Sequence, residues 1–521
     1  MKKTSFVACA TVSLMALAAV AAPAFAQEHV VVSPMGNNPP HLNPMLTTDV
    51  AAAAATYPIF DTLVAQDANY VPQPRIATSW EANADATEFT FHIRDGVLFH
   101  NGDALTAEDV AFSLATYLPI SPTTSMLKDY IDSITAVDAQ TVNVKLNQPF
   151  APFVEMMAGV RVLPKSVYGD GQDVATHPAN MEPVGSGPFR FAAFESGERL
   201  ILERFDGYWG ETTEVDVIVM PMIPDQNARI LALEGGDLDF VDGSYIDKSS
   251  YDRLLASPNL DSFTVLGGVN TLTAAVNGRE GPLADFEVRK AVYEAINRDM
   301  LAERAYYGYG DVGRGAVPAA IAWAAAEDIN FNDLMPFDPA AAEAALDAAG
   351  YPEGADGTRF TIDLTYPSEY GLLASAGGVI KSNLEDIGIK VNLEGSEFNV
   401  WADRTYTTHD FDMSIVFYTS YQDPSVGVAR VYVCNPDDVA FRNPAGICDE
   451  ELDAAFVRAG AVADPDARKE AFGEAEERLL QIMHAYPLIE ESARHFGRSD
   501  RWDFTAAMAT QPPNWSLVTA K

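Results

Sequence analysis

A chain of 521 residues, 48% of them hydrophobic and interleaved with polar ones, is globular, and its length alone predicts about three domains. A formal net charge of −40, from 74 acidic against 34 basic residues, excludes a surface built for nucleic acid or anionic lipid headgroups. The acids are spread along the whole chain, which reads as a solvated, self-repelling surface and not as a cation site.

The first 26 residues read as a secretory signal. Lys2 and Lys3 supply the positive start, Val12 to Val20 the apolar segment, and Ala24-Phe25-Ala26 a small-x-small site cleaved after Ala26. That apolar run is shorter than the about 20 residues of a membrane span, and Cys9 lies too early to be the acylated cysteine of a lipoprotein. Loss of two lysines leaves 32 basic against 74 acidic residues, a net of −42. The two remaining cysteines, Cys434 and Cys448, enclose a short segment, and in an oxidising compartment they suggest a disulfide.

His29 to Ser33 reads as a strand running into the Asn- and Pro-rich loop PMGNNPPHLNP, and Ala51 to Ile59 as a helix. In Ala77 to Leu118, Phe89, Phe91 and Ile93 alternate with Thr90, His92 and Arg94, the period of a half-buried strand. Asn101-Gly102-Asp103 turns the chain, Thr106 and Asp109 form a capping box, and Val110, Leu114 and Leu118 share one helical face. A hairpin follows, with Ile134 to Val137 on one arm and Val142, Val144 and Leu146 on the other; Ala151 to Gly159 reads as a helix. Asp225 opens a helix that stops at Gly235-Gly236, and DLDFVDG is a strand. Asp285 opens a long helix with Val288, Ala291, Val292, Ala295 and Ile296 on one face; Asp338-Pro339 opens another that stops at Gly350. From Phe360 the order alternates: strand FTIDLTY, helix Leu372 to Ile387, strand KVNLEG, helix near Trp401, strand DFDMSIVFY. That rhythm predicts a mixed or mainly parallel sheet with covering helices. Two acidic amphipathic helices, Glu450 to Ala461 and Asp464 to His484, precede PLIEESARHFG, which turns back toward the N-terminal part.

Catalytic motifs fail on context. Gly308, Gly310 and Gly313 have dinucleotide-loop spacing but follow a helix where a strand is required. Ser125 and Lys128 have a serine–lysine spacing without its companion motifs, Gly185-Ser186-Gly187 is not a nucleophile elbow, and the eight histidines show no zinc-helix pairing.

The run FTFHIRDGVLFHNGDALTAEDVAFS resembles the signature region of extracytoplasmic solute-binding proteins of the peptide, oligopeptide and nickel class, family 5, which deliver ligand to ABC importers. VGSGPFRF with SGERLILERFDGYWG, and NGREGPLADFEVRKAVYEAINRD, resemble further markers of that family. The resemblance implies an α/β, periplasmic-binding-protein-like type II fold: a three-lobed clamshell with mixed sheets. It implies a discontinuous first lobe (residues 27–60, 188–270 and 495–521), a second, extra lobe (61–187) and a third lobe (271–494). It further implies a periplasmic monomer without cofactor or metal that is not an enzyme, binds a small-molecule or peptide ligand and serves ABC-importer permease subunits.

The ligand would lie between lobes, reached by Asn37 in the first Asn/Pro turn, Asn270 at a strand end, Tyr370, Trp401, and the loop carrying Tyr418, Ser420, Tyr421 and Asp423. Dipeptide binders of this family carry an extra acidic residue at the place of Ser420 or Tyr421, and Asp423 matches the next acidic position. They also carry an arginine that the loop Tyr366 to Tyr370 lacks. The expectation is therefore a peptide or peptide-like solute other than a free dipeptide. A nickel complex or metallophore, an opine and a sugar-like solute are the alternatives, and a secreted hydrolase is the competing class.

Overall fold

The computed structural model describes residues 29–266 and 268–521, so the signal segment, residues 1–26, lies outside the described residues. Strand Val30–Val32, three β-branched residues in a row, pairs in parallel with Val217–Pro221; Arg199–Arg204 and Phe189–Glu195 complete a four-stranded sheet. A three-stranded sheet beside it joins Phe240–Val241, Arg494–Arg498 and Leu260–Thr264. We call these two sheets the first lobe.

The second lobe is an antiparallel sheet in the order Ala77–Ala82, Glu88–Ile93, Thr141–Leu146, Ile131–Asp138. Phe89, Phe91 and Ile93 face inward as their alternation requires, with the Phe153 ring 4.8 Å from that of Phe89. Helix Ala107–Tyr117 starts on the expected capping box, where the Thr106 N–H donates to the Asp109 carboxylate at 2.9 Å. It buries Val110 and Leu114. The helix expected over 151–159 is broken: α-helix covers only Phe153–Met156 before the turn tightens to 3-10 geometry over Met157–Gly159.

The third lobe holds a six-stranded mixed sheet. Phe360–Pro367 pairs in parallel with Ile389–Ser396 and Met413–Thr419, the predicted βαβ rhythm. Asn270–Val276 runs antiparallel between Met413–Thr419 and Ala485–Glu491. The last acidic helix ends at Leu479, earlier than expected, because residues 480–484 turn the chain directly into Ala485–Glu491. That strand passes from the third lobe into Arg494–Arg498 of the first. The companion crossing runs from Leu260–Thr264 to Asn270–Val276, and the Val265 N–H donates to the Ala493 carbonyl at 2.9 Å. We refer to these two crossings as the hinge.

One hydrophobic core joins the four-stranded sheet of the first lobe to the second lobe, a smaller one lies against the three-stranded sheet around Tyr251 and Phe496, and the third lobe has its own. The two larger cores receive residues from across the seam: Tyr70, at the turn between strands Val64–Gln66 and Pro72–Pro74, sits in the third-lobe core, and Val426 sits in the other with Tyr421 packed against it.

Candidate functional site

Strand Met413–Thr419 delivers the chain to the seam between lobes, where Ser420, Tyr421, Gln422 and Asp423 lead into the short helix Pro424–Gly427. Tyr421 is left-handed (φ 54°), a region that disfavours a residue with a Cβ. The Arg430 guanidinium holds the ring there, 4.5 Å from its centroid. Gly427 is required by close approach: a Cβ there would stand 2.0 Å from the Ser420 carbonyl oxygen.

A cavity of about 530 Å³ opens beside this loop, between the second and third lobes. The second lobe contributes Met126, Tyr130 and Phe150, and the third contributes Tyr421, Arg430, Phe441 and Arg442. On the other side of the seam a cavity of about 490 Å³ is lined by Trp80, Phe89, Glu155, Trp323 and Arg468. Between the two cavities the lobes touch. Ala151 N–H donates to the Gly460 carbonyl at 2.8 Å, and the Gln66 amide donates to the Gln422 carbonyl at 3.1 Å.

Of the residues expected to hold ligand, Tyr421 lines the first cavity. Tyr370 is 47% exposed on the third lobe, edge-on to Phe417, and Asn37 is exposed with its amide donated to Asp49. Asn270 accepts from the Thr419 hydroxyl at 2.7 Å. The other four have spent their polar groups internally. Trp401 is wholly buried and donates its indole N–H to Ser414. The Tyr418 hydroxyl meets that of Tyr406 at 2.6 Å, both buried. The Ser420 hydroxyl accepts the Val269 N–H at 3.0 Å, so it braces the hinge crossing. Asp423 is fully buried, accepts from the Ser425 N–H, and forms an ion pair with Arg468 at 2.8 Å.

Burial and then the charge of Asp423 push the Glu155 carboxyl of the second lobe up to about 7. The Glu155 carboxyl thus feels the charges of both Asp423 and Arg468 without pairing with either, and the Arg468 guanidinium also lies 4.8 Å from the Trp323 ring. Sequence reasoning passed over Arg430, Arg442 and Phe441. Arg430 sits in the one-turn helix Ala429–Tyr432 and Arg442 in the loop beyond it, and neither place is long enough to carry a periodic signal.

Ser125, half of the serine–lysine pair, lines the first cavity within the 3-10 segment Ser125–Asp129. Among the described residues there is no group of three or more His, Cys, Asp or Glu side chains placed to hold a metal ion. No described helix is long and apolar enough to cross a membrane.

The profile of the bacterial extracellular solute-binding proteins, family 5, matches residues 71–438. The chain is 25% identical to the dipeptide-binding protein of Escherichia coli, over 90% of each chain. It is 27% identical to the glutathione-binding protein GsiB of Pectobacterium atrosepticum, over 72% of this chain and 71% of that one. In structure it resembles the ABC transporter substrate-binding protein CtaP of Listeria monocytogenes, with a TM-score of 0.83, 20% identity, and 95% and 99% of the two chains covered.

Proposed function

The chain belongs to the bacterial extracellular solute-binding proteins, family 5, with the type II periplasmic-binding fold, and from that premise we propose that it captures a peptide or peptide-like solute between its lobes for an ABC importer. The observation that carries this reading is the cavity of about 530 Å³ whose walls come from two lobes, in a chain whose third lobe joins the first, among the described residues, through two crossings. Such a site is assembled when the lobes meet, so the solute favours the apposed form and an importer can distinguish it. The protein is exported, loses residues 1–26, works in the periplasm with permease subunits, and performs no catalysis. Relatives named for dipeptide and glutathione binding support a peptide-like cargo.

A free dipeptide needs a buried partner for each charged terminus, because an unpaired buried charge costs several kcal/mol. The one acid of the loop, Asp423, already faces Arg468. Simple dipeptides therefore bind with dissociation constants well above micromolar, and longer or capped peptides bind more tightly. Calorimetry against both sets, with mass spectrometry of co-purified small molecules, tests this. Tight dipeptide binding that tolerates any side chain overturns the exclusion, and a co-purified metal complex or sugar overturns the peptide reading.

A further inference from the structure

We propose that the cavity between the second and third lobes is a subsite for an anionic, apolar-bodied end of the solute, with the Arg442 guanidinium as its counter-charge. This rests on the solute-binding reading above and adds to it the charge and character of one end of the cargo. Acids outnumber bases by 74 to 34 in the chain, yet no Asp or Glu lines this cavity, while two arginines do.

The two arginines differ. Arg430 spends its donors on the carbonyls of Gly427 and Phe441 and lies over the Tyr421 and Tyr418 rings, so it shapes the wall. Arg442 is exposed, and among the described residues its guanidinium makes neither an ion pair nor a side-chain hydrogen bond. Burial raises the second-lobe Tyr130 hydroxyl above its ordinary value, the Arg442 charge opposes that from across the cavity, and Asp129 beside the ring adds to it. A guanidinium left without a carboxylate in a strongly acidic chain is available to one brought by a ligand.

The rest of the wall mixes aromatic and aliphatic side chains with the polar groups of Thr123, Ser125, Gln148 and Ser425. Tyr130 packs on Phe150 with ring centroids 4.9 Å apart, and Phe441, left-handed at φ 63°, stacks on Phe398 at 5.8 Å while staying 36% exposed. A volume of about 530 Å³ holds one aromatic or acyl body together with its charged group. Carboxylate and phosphate share the chemistry that Arg442 would recognise.

The test titrates the full mature protein with 3-phenylpropionate, its amide and phenyl phosphate, followed by calorimetry and by NMR. The acid is expected to bind about tenfold more tightly than the amide, as a charge-assisted pair allows. Arg442→Gln, at an exposed position, should abolish that preference without changing the melting temperature. Ser125→Asp, which adds a carboxylate to the opposite wall, should weaken the acid and spare the amide. Preference for phenyl phosphate over phenylpropionate assigns the site to phosphate esters. Equal binding of acid and amide, no binding of either at millimolar concentration, or an acid preference that survives Arg442→Gln overturns the proposal. Because these probes are not peptides, that failure stands apart from failure of the peptide panel.

Discussion

Tyr421 concentrates the physics of the site in one residue. Its left-handed backbone costs of order 1 kcal/mol, which the surrounding contacts must offset, and its ring forms part of the cavity wall against Arg430. Tyr421→Ala should weaken the cognate solute by about 1–3 kcal/mol, the range of an aromatic anchor, as read by calorimetry. Tyr421→Gly relieves the backbone and should weaken binding as much while raising the melting temperature relative to Tyr421→Ala. An unchanged affinity in both variants would remove Tyr421 from the site. The loop around it was legible in the sequence because a β-rich run ended in polar residues, but the use made of each side chain was not. Strand Met413–Thr419 is central and buried on both faces over most of its length, so alternation cannot say which way Tyr418 points. The partners of Ser420 and Asp423, Val269 and Arg468, lie 151 and 45 residues away, and no local pattern announces them.

Elements were the most legible scale, because helix starts are local chemistry. Asp225, Asp285 and Asp338 each accept a first-turn N–H at the helix they were expected to open. What escaped was where the third lobe spends buried acids. Glu476 accepts the Val317 N–H, and Glu490 accepts those of Arg314 and Ala319, so both pin the irregular 313–319 segment to the sheet. Burial pushes each carboxyl up to about 7, above its ordinary 4.5. Carboxyls raised on folding contribute stability that is fully present below the unfolded value and is lost as pH rises through about 7. Melting temperature should therefore fall between about pH 4.5 and pH 7 and level off above, and Glu476→Gln should flatten part of that fall; a slope identical in the variant would show that another group sets it. Cys434 and Cys448 are bonded, 14 residues apart, and close the loop that carries Phe441 and Arg442. Closing a loop of this length contributes about 3 kcal/mol in the chain-entropy picture. Replacing both with Ser should lower stability by no more than that and loosen the cavity wall. Two reactive thiols per unfolded, unreduced mature chain would contradict the bond.

At the scale of the whole molecule, the contacts divide into those near the hinge and those across the seam. Beside the hinge, Lys248 of the first lobe pairs with Glu491 of the third, both nearly buried, and Tyr309 donates to Asp252 at 2.5 Å. Contacts that close to the crossings would change little if the third lobe swung about them. Across the seam the second lobe brings Glu155 against Asp423 and Arg468, and there separation would let water in. Apposition is thus expected to be linked to a proton on Glu155. With the lobes apart the Glu155 carboxyl returns toward its ordinary 4.5, and with them together it stands at about 7. The apposed form is then favoured at low pH, and that advantage is lost as pH rises through about 7. Small-angle scattering of protein stripped of co-purified solute should show a larger radius of gyration at pH 8.5 than at pH 5.5. Glu155→Gln, uncharged throughout, should stay compact at both. Saturating solute should compact the wild type at pH 8.5, since its binding energy adds to the apposed form alone. Identical profiles at both pH values would separate Glu155 from closure, and identical profiles with and without solute would mean that these lobes do not close on cargo.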